Sequence, residues 1–324
     1  MDITIVIPTK NAGSILDKTL KMVFSQKTQF TYEVICVDSG SKDKTLEIIK
    51  KYHCKLYQIR PEEFGHGKTR NYGASKGSGE FIVFITQDAM PASELWLENL
   101  ILAMKMDNSI AGGFGIHYPY DNCNALDKLD LKRHFLNFGD TNHVFYIDDW
   151  EKYKNDNGYM QYLAFFSDNN SCVRRSVWEK YPYPDVDFAE DQIWMREMLE
   201  KGYKKVYCPY APVYHSHNFK LRTYYRRYFD EYRGLYNVYG YIIADKWWKL
   251  FFLWMRHVRR DINQNIRGQN MSRKEKIYWL GYSIVRNYCR YYGGYKGGMW
   301  HTYSEKKKKR IDKKYSQQYE QRMA

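Results

Sequence analysis

An α/β protein is expected, with a mostly parallel central sheet, flanking helices and a separate helical C-terminal region. Three observations predict it. Short β-branched or apolar runs alternate with amphipathic stretches over the first two hundred residues. One of them, FIVFI at 81–85, is apolar throughout, the pattern of a strand covered on both faces. The charge then divides sharply: residues 1–217 carry 26 Lys+Arg against 29 Asp+Glu, net −3, and residues 218–324 carry 25 against 8, net +17.

With 324 residues, 44% hydrophobic, the chain can bury a full core and exceeds one average domain. Division into 1–218 and 219–324 follows the change in composition. Six scattered cysteines without CxxC spacing, and a strand at the very start in place of a signal peptide, favour unpaired thiols and a reducing cytoplasm. No apolar run approaches the roughly 20 residues that cross a bilayer.

Residues 3–7 (ITIVI) form a first strand stopped by Pro8, and TKNAG follows as a loop. Leu16, Leu20, Val23 and Phe24 stand at helical spacing. The second strand, 34–37, ends on Asp38 and Ser39-Gly40-Ser41, and Leu46, Ile49 and Tyr52 mark a second helix. This rhythm means βαβ units and parallel pairing. Thr9, Asp38 and Asp88 therefore leave the sheet on one edge, where open α/β sheets bind ligands. Asp88 suits a cation or a phosphate-bound metal there; alternatively it caps a helix near Ser93.

The first loop, PTKNAG, lacks GxGxxG, and no Walker A sequence occurs, so a nucleotide's phosphates need another partner. A metal at Asp88 is the simplest. After a third strand at 56–59 comes EFGHGKTRNYGA, residues 63–74. Its glycines around a histidine, followed by Lys68 and Arg70, suit a loop closing over an anionic or planar ligand, or a turn opening a solvated helix.

In order, IVIPTKNAG, VDSGSKDKT, RNYGA and TQDAMP resemble the motifs of family 2 glycosyltransferases, inverting enzymes with the Rossmann-like GT-A nucleotide-sugar-binding fold. EEFGHGKTRNYGA with TQDA resembles the bacterial rhamnosyltransferase subgroup, and the likeness runs from about residue 3 to 220. It implies that Pro8 and Thr9 line a nucleotide pocket. Asp38 would accept from a uracil or thymine imide, with Lys68 and Arg70 near the ring or diphosphate. Gln87 and Asp88 would sit at the phosphates, Asp88 as the last acid of a DXD motif holding Mg²⁺ or Mn²⁺. Thr86 stands where the first acid of that motif would be.

Gly112, Gly113 and Gly115 mark a strand approached closely by another group. Residues 118–160 read as loops and short helices on the acceptor side. Ser167 to Ser171, SDNNS, suits sugar hydroxyls or an ordinary turn. Glu190 and Asp191 open a helix whose dipole alone would favour them; FAEDQIW also resembles the family's ED motif, which implies Asp191 as catalytic base with Glu190 orienting it. In HSH, alternation along an extended segment would aim His215 and His217 the same way. The resemblance implies a metal ligand there, His217 before His215, whereas half-buried structural histidines are the plain reading.

Tyrosines at helical spacing from 224 to 239, the run WWKLFFLWM and the arginines after it match helices in a bilayer interface, or a bundle packed on the first domain. KKKKR at 306–310 reads as a solvated tail. The expected function is metal-dependent transfer of L-rhamnose from dTDP-L-rhamnose to a lipid-linked surface or cell-wall glycan, at the anionic inner face of a bacterial membrane. A UDP-sugar such as a UDP-hexose is the alternative donor. A non-catalytic membrane- or RNA-binding protein is the alternative class, although no nucleic-acid-binding motif is present and no nucleic-acid partner is expected.

Overall fold

The structure is a computed structural model that describes residues 1–186, 188–267, 271–317 and 319. The chain forms two compact units, one of Met1–Asp121 with Leu131–Ser216 and one of Asn122–Asp130 with His217–Ala324.

In the first unit the strands are β1 (Ile3–Thr9), β2 (Tyr32–Asp38), β3 (Cys54–Gln58), β4 (Phe81–Ile85), β5 (Met90–Pro91), β6 (Ile110–Tyr118), β7 (His143–Phe145), β8 (Asn170–Arg174) and β9 (Lys204–Tyr214). Helices α1 (Ser14–Phe24), α2 (Thr45–Ile49), α3 (His66–Ser75) and α4 (Trp96–Met104) connect the earlier strands. The later connections contain α5 (Ala125–Leu136), α6 (Trp150–Asn155), α7 (Asn157–Ala164), α8 (Arg175–Lys180) and α9 (Glu190–Glu200).

The sheet order is β3-β2-β1-β4-β8-β6-β9-β5, with β7 also on β9. It is parallel across β3-β2-β1-β4, as the alternating pattern requires, and mixed beyond, where β8 runs antiparallel to β4 and β6. Register decides what shares an edge. Thr9 pairs with Asp38 at the ends of β1 and β2, and Ile85, ending β4, pairs with Asn170, which begins β8. Asp88 and Asp168, a few residues outside that last pair, thus leave the sheet on one side.

Ile5, Ile7, Leu16, Leu20, Val34, Phe81, Val83 and Trp96 form part of one buried cluster on the sheet. Gly79 lets the chain enter β4 against β1: a Cβ there would stand 2.4 Å from the backbone of Ile3 and Thr4. The stretch 118–160, read as loops and short helices, contains α5, α6 and the start of α7, and a buried lysine organises α7. Lys205 on β9 donates through Nζ to the carbonyls of Leu163 and Phe165, so its amine caps that helix's C-terminal end. Burial holds the Lys205 amine well below its ordinary pKa.

The second unit contains α10 (Leu221–Tyr239), α11 (Trp247–Asp261), α12 (Arg273–Gly298) and α13 (Glu305–Tyr315). Helices α10 and α12 lie close because Gly293 and Gly297 carry no side chain: a Cβ would stand 2.5 Å from Tyr225 O and 2.1 Å from Phe229 O. Residues 122–130 group with these helices, which moves the expected division. The cause is an ion network: Arg286, fully buried, donates to Asp127 and Asp130, and Arg290 donates to Asp130 at 2.8 Å. KKKKR lies within α13, with Lys306, Lys307, Lys309 and Arg310 exposed to solvent, while Ile311 is buried and Lys308 stands over the Trp300 ring. Among the described residues no helix is long and apolar enough to cross a membrane.

Candidate active site

Three carboxyl groups gather around one guanidinium. Arg70, on α3 and buried, donates from Nη1 to Glu190 Oε1 at 2.8 Å and places Nε 3.3 Å from Asp168 Oδ2. Asp168 Oδ1 also accepts from Ser171 Oγ at 2.7 Å and from Tyr183 Oη at 2.8 Å. Its backbone N–H donates to Asp191 Oδ2 at 3.2 Å, which ties the third acid to the same group. Ala189, with φ of 60° in the left-handed region, turns the chain into α9 so that both acids occupy its first turn. Such backbone costs on the order of 1 kcal/mol for a residue with a Cβ and persists where the surroundings enforce it.

Three acids against one cation leave an excess of negative charge in a poorly solvated place. Burial raises the Glu190 carboxyl to about 7, with Asp168 adding to the rise and Arg70 opposing it. Asp168 is raised by burial, also against Arg70. Asp191 is raised well above the carboxylate range by burial and by the charges of Glu190 and Asp168. Glu190 and Asp168 are buried, whereas Asp191 is half-buried. It alone of the three keeps an edge toward solvent, and a half-exposed carboxyl with a raised pKa is suited to taking up a proton.

Arg70, which the resemblance implies near a base or diphosphate, has its guanidinium buried on acids 98 and 120 residues away. Lys68, two residues earlier on α3, is exposed. Asp168 is the residue that sequence reasoning missed; its signal was an acid inside the SDNNS run.

At the ends of β1 and β2, Asp38 is fully buried and already engaged. Oδ1 accepts from the backbone N–H of Gly40 and Ser41 at 3.0 and 2.9 Å; Oδ2 accepts from Thr9 Oγ1 at 3.2 Å and from Ser41 Oγ. These four bonds fill the carboxylate's acceptor sites. A base imide would have to replace one of the two hydroxyls. Gln87 forms a two-way clasp with the loop after β1, accepting from Lys10 N at 2.8 Å and donating to Lys10 O at 3.2 Å. It joins the ends of β1 and β4, beside Pro8 and Thr9.

Asp88 is half-exposed, with Oδ1 3.7 Å from His215 Nε2. β5 brings the two together, since Met90 pairs with Tyr214, and Tyr120 Oη donates to Asp88 O at 3.0 Å. The strand β9 ends at Tyr214, so the alternation expected to align His215 with His217 does not extend past it. His215 is the penultimate residue of the first unit and His217 opens the last segment of the second. One carboxylate oxygen and one imidazole nitrogen at a half-exposed strand edge fit a divalent ion such as Mg²⁺ or Mn²⁺. Thr86 adds no charge: its Oγ1 is buried without a hydrogen-bond partner.

The sequence model of Glycosyl transferase family 2 matches residues 4–182. The chain is 34% identical over 232 residues, 70% of each protein, to the O-antigen chain rhamnosyltransferase WbaN of Salmonella anatum, and 34% identical over 234 residues, 71% of each, to RfbN of Salmonella typhimurium. Among solved structures, S. aureus TarS 1–349 superposes with a TM-score of 0.51 at 14% identity, covering 94% of this chain and 93% of that one. Glucosyl-3-phosphoglycerate synthase from Mycobacterium tuberculosis, solved with Mn²⁺, UDP and glucosyl-3-phosphoglycerate, gives 0.53 at 16% identity over 76% and 81%. The mixed sheet with its flanking helices is the GT-A fold, and the chain belongs to glycosyltransferase family 2.

Proposed function

We propose that this glycosyltransferase transfers L-rhamnose from dTDP-L-rhamnose, with inversion, to a hydroxyl of a lipid-linked surface polysaccharide at the cytoplasmic face of a bacterial membrane. The observation that carries the reading is the Arg70 cluster, which leaves Asp191 half-buried and raised in pKa on the sheet edge that also bears Asp88. The rhamnosyltransferase relatives support the sugar and the kind of acceptor.

In this reading Asp191 is the base. It takes the proton of the acceptor hydroxyl as that oxygen attacks the anomeric carbon, and the nucleoside diphosphate departs from the opposite face with the electron pair of the broken C–O bond. Burial, with the charges of Glu190 and Asp168, raises the basicity of Asp191, and Arg70 opposes the rise. Pro8, Thr9 and the loop held by Asp38 form the wall of the nucleotide pocket, with Gln87 fixing that wall to the end of β4. Lys68, exposed on α3, is the cation assigned to the diphosphate in place of Arg70. Asp88 and His215 would hold Mg²⁺ or Mn²⁺, which when bound neutralises charge on the departing diphosphate.

Nucleotide release from dTDP-rhamnose, UDP-glucose and UDP-galactose, each with and without Mn²⁺, tests the assignment. Release from dTDP-rhamnose that needs the ion supports it; release from a UDP-hexose alone would replace the donor.

A further inference from the structure

The second unit turns toward solvent what helices ordinarily hide. On α11 the buried residues are Leu250, His257, Val258 and Asp261, which fixes its inward face. Its outward face then carries Trp248, Phe251, Phe252 and Met255, all exposed, with Trp247 beside them at 74%. The spacing i, i+3, i+4, i+7 makes them one stripe. Helix α12 repeats the pattern with Ile277, Ile284, Val285 and Tyr288 exposed.

Trp254 joins the stripes. Its Nε1 donates to Ile284 O at 3.0 Å, and its ring lies 5.9 Å from Phe251 and 5.6 Å from Tyr288. A cavity of about 520 Å³ beside them is lined by Ile242, Phe252, Leu253, Lys249 and Arg256, among others. An apolar surface across two helices is more than the scattered exposed residues of an ordinary protein surface.

Its charge identifies the partner. Arg256 and Arg259, exposed, follow the apolar stripe on α11, and Arg273 and Lys274, exposed, open α12. They belong to a region of net charge +17. A second copy would bring an equally basic surface against them, whereas anionic lipid phosphates are complementary. With no helix among the described residues able to span a bilayer, the surface lies on it.

We propose that the outward faces of α11 and α12 dock on an anionic lipid bilayer, with Trp247, Trp248, Phe251 and Phe252 at the boundary of headgroups and acyl chains and the arginines on lipid phosphates. This rests on the lipid-linked acceptor of the proposed function and names the surface that would bring the enzyme to it.

Sedimentation of the full chain with vesicles of phosphatidylcholine, alone or with roughly one-third phosphatidylglycerol, tests it, with tryptophan emission as a second readout. Binding to the anionic vesicles with a blue shift is expected. Phe251→Glu/Phe252→Glu should weaken binding by about tenfold or more, and Arg256→Gln/Arg259→Gln should weaken it and flatten its salt dependence. Circular dichroism checks that the variants fold. The proposal is overturned if the wild type ignores anionic vesicles, if Phe251→Glu/Phe252→Glu binds them equally, or if that variant instead dissolves a lipid-free dimer. Calorimetric titration of dTDP with Mn²⁺ in the absence of lipid separates the two readings: wild type that binds no dTDP, yet binds vesicles through this face, would remove the dTDP-rhamnose reading alone.

Discussion

Arg70 and Glu190, 120 residues apart in sequence, meet at 2.8 Å in a place where both are buried. The pair joins α3 to the first turn of α9, and with Asp168 it sets the charge balance around Asp191.

Removing the cation should expose that balance. Arg70→Met leaves three carboxyl groups with no counter-ion, and breaking a buried pair costs about 3–5 kcal/mol. The variant's acids would fold protonated, with pKa values above their unfolded ones. Its native state then binds protons that the unfolded chain has released, so its stability falls as pH rises. Urea denaturation should show the larger deficit at neutral pH and a smaller one in mild acid.

The same sign applies to Glu190 in the wild type. Its carboxyl titrates at about 7 in the folded chain against 4.5 ordinarily. Between those values the native state holds the extra proton, and stability declines with rising pH by up to about 1.4 kcal/mol per unit for each proton. Glu190→Gln should flatten that decline. It also removes a negative neighbour of Asp191, so the acidic limb of kcat/KM should move to lower pH, as a pH–rate profile would show.

Much of the sheet edge was legible in the sequence because it depends on local pattern. The apolar runs of β1, β2 and β4, each broken by a polar residue at its end, fix where Thr9, Asp38 and Asp88 emerge. The role of Arg70 was not legible. Its partners lie 98 and 120 residues away, and an ion pair between distant elements leaves no periodic trace. The saturation of Asp38 was hidden for a different reason: it depends on the turn geometry of Gly40 and Ser41, not on which residues are present. The end of α7 resisted reading because it is held by Lys205, far along the chain on β9.

Two glycines of α12 should respond oppositely to the same change. Gly297→Ala would drive a Cβ to 2.1 Å from a backbone oxygen of α10, an overpacking expected to cost about 1–3 kcal/mol. Gly281→Ala meets nothing within 4 Å and should stabilise the helix by roughly 0.5–1 kcal/mol. Thermal unfolding of the two variants checks the packing of α10 on α12.

Among the described residues, Asp88 supplies the one carboxylate of the proposed ion site, and Thr86 occupies the other DXD position. Asp88→Asn should therefore lower Mn²⁺ affinity in the presence of dTDP by about tenfold or more, a scale typical for loss of a charged ligand or its support. Calorimetric titration of the ion reads it directly, and an unchanged affinity would move the ion elsewhere.

The assignment of Asp191 as base is best tested by Asp191→Asn, with the transfer rate and dTDP-rhamnose affinity measured on the same preparation. Loss of a positioned base should lower kcat by about 10²–10⁴ while donor affinity stays within a factor of about two. A variant that loses donor binding but keeps its rate would contradict the account.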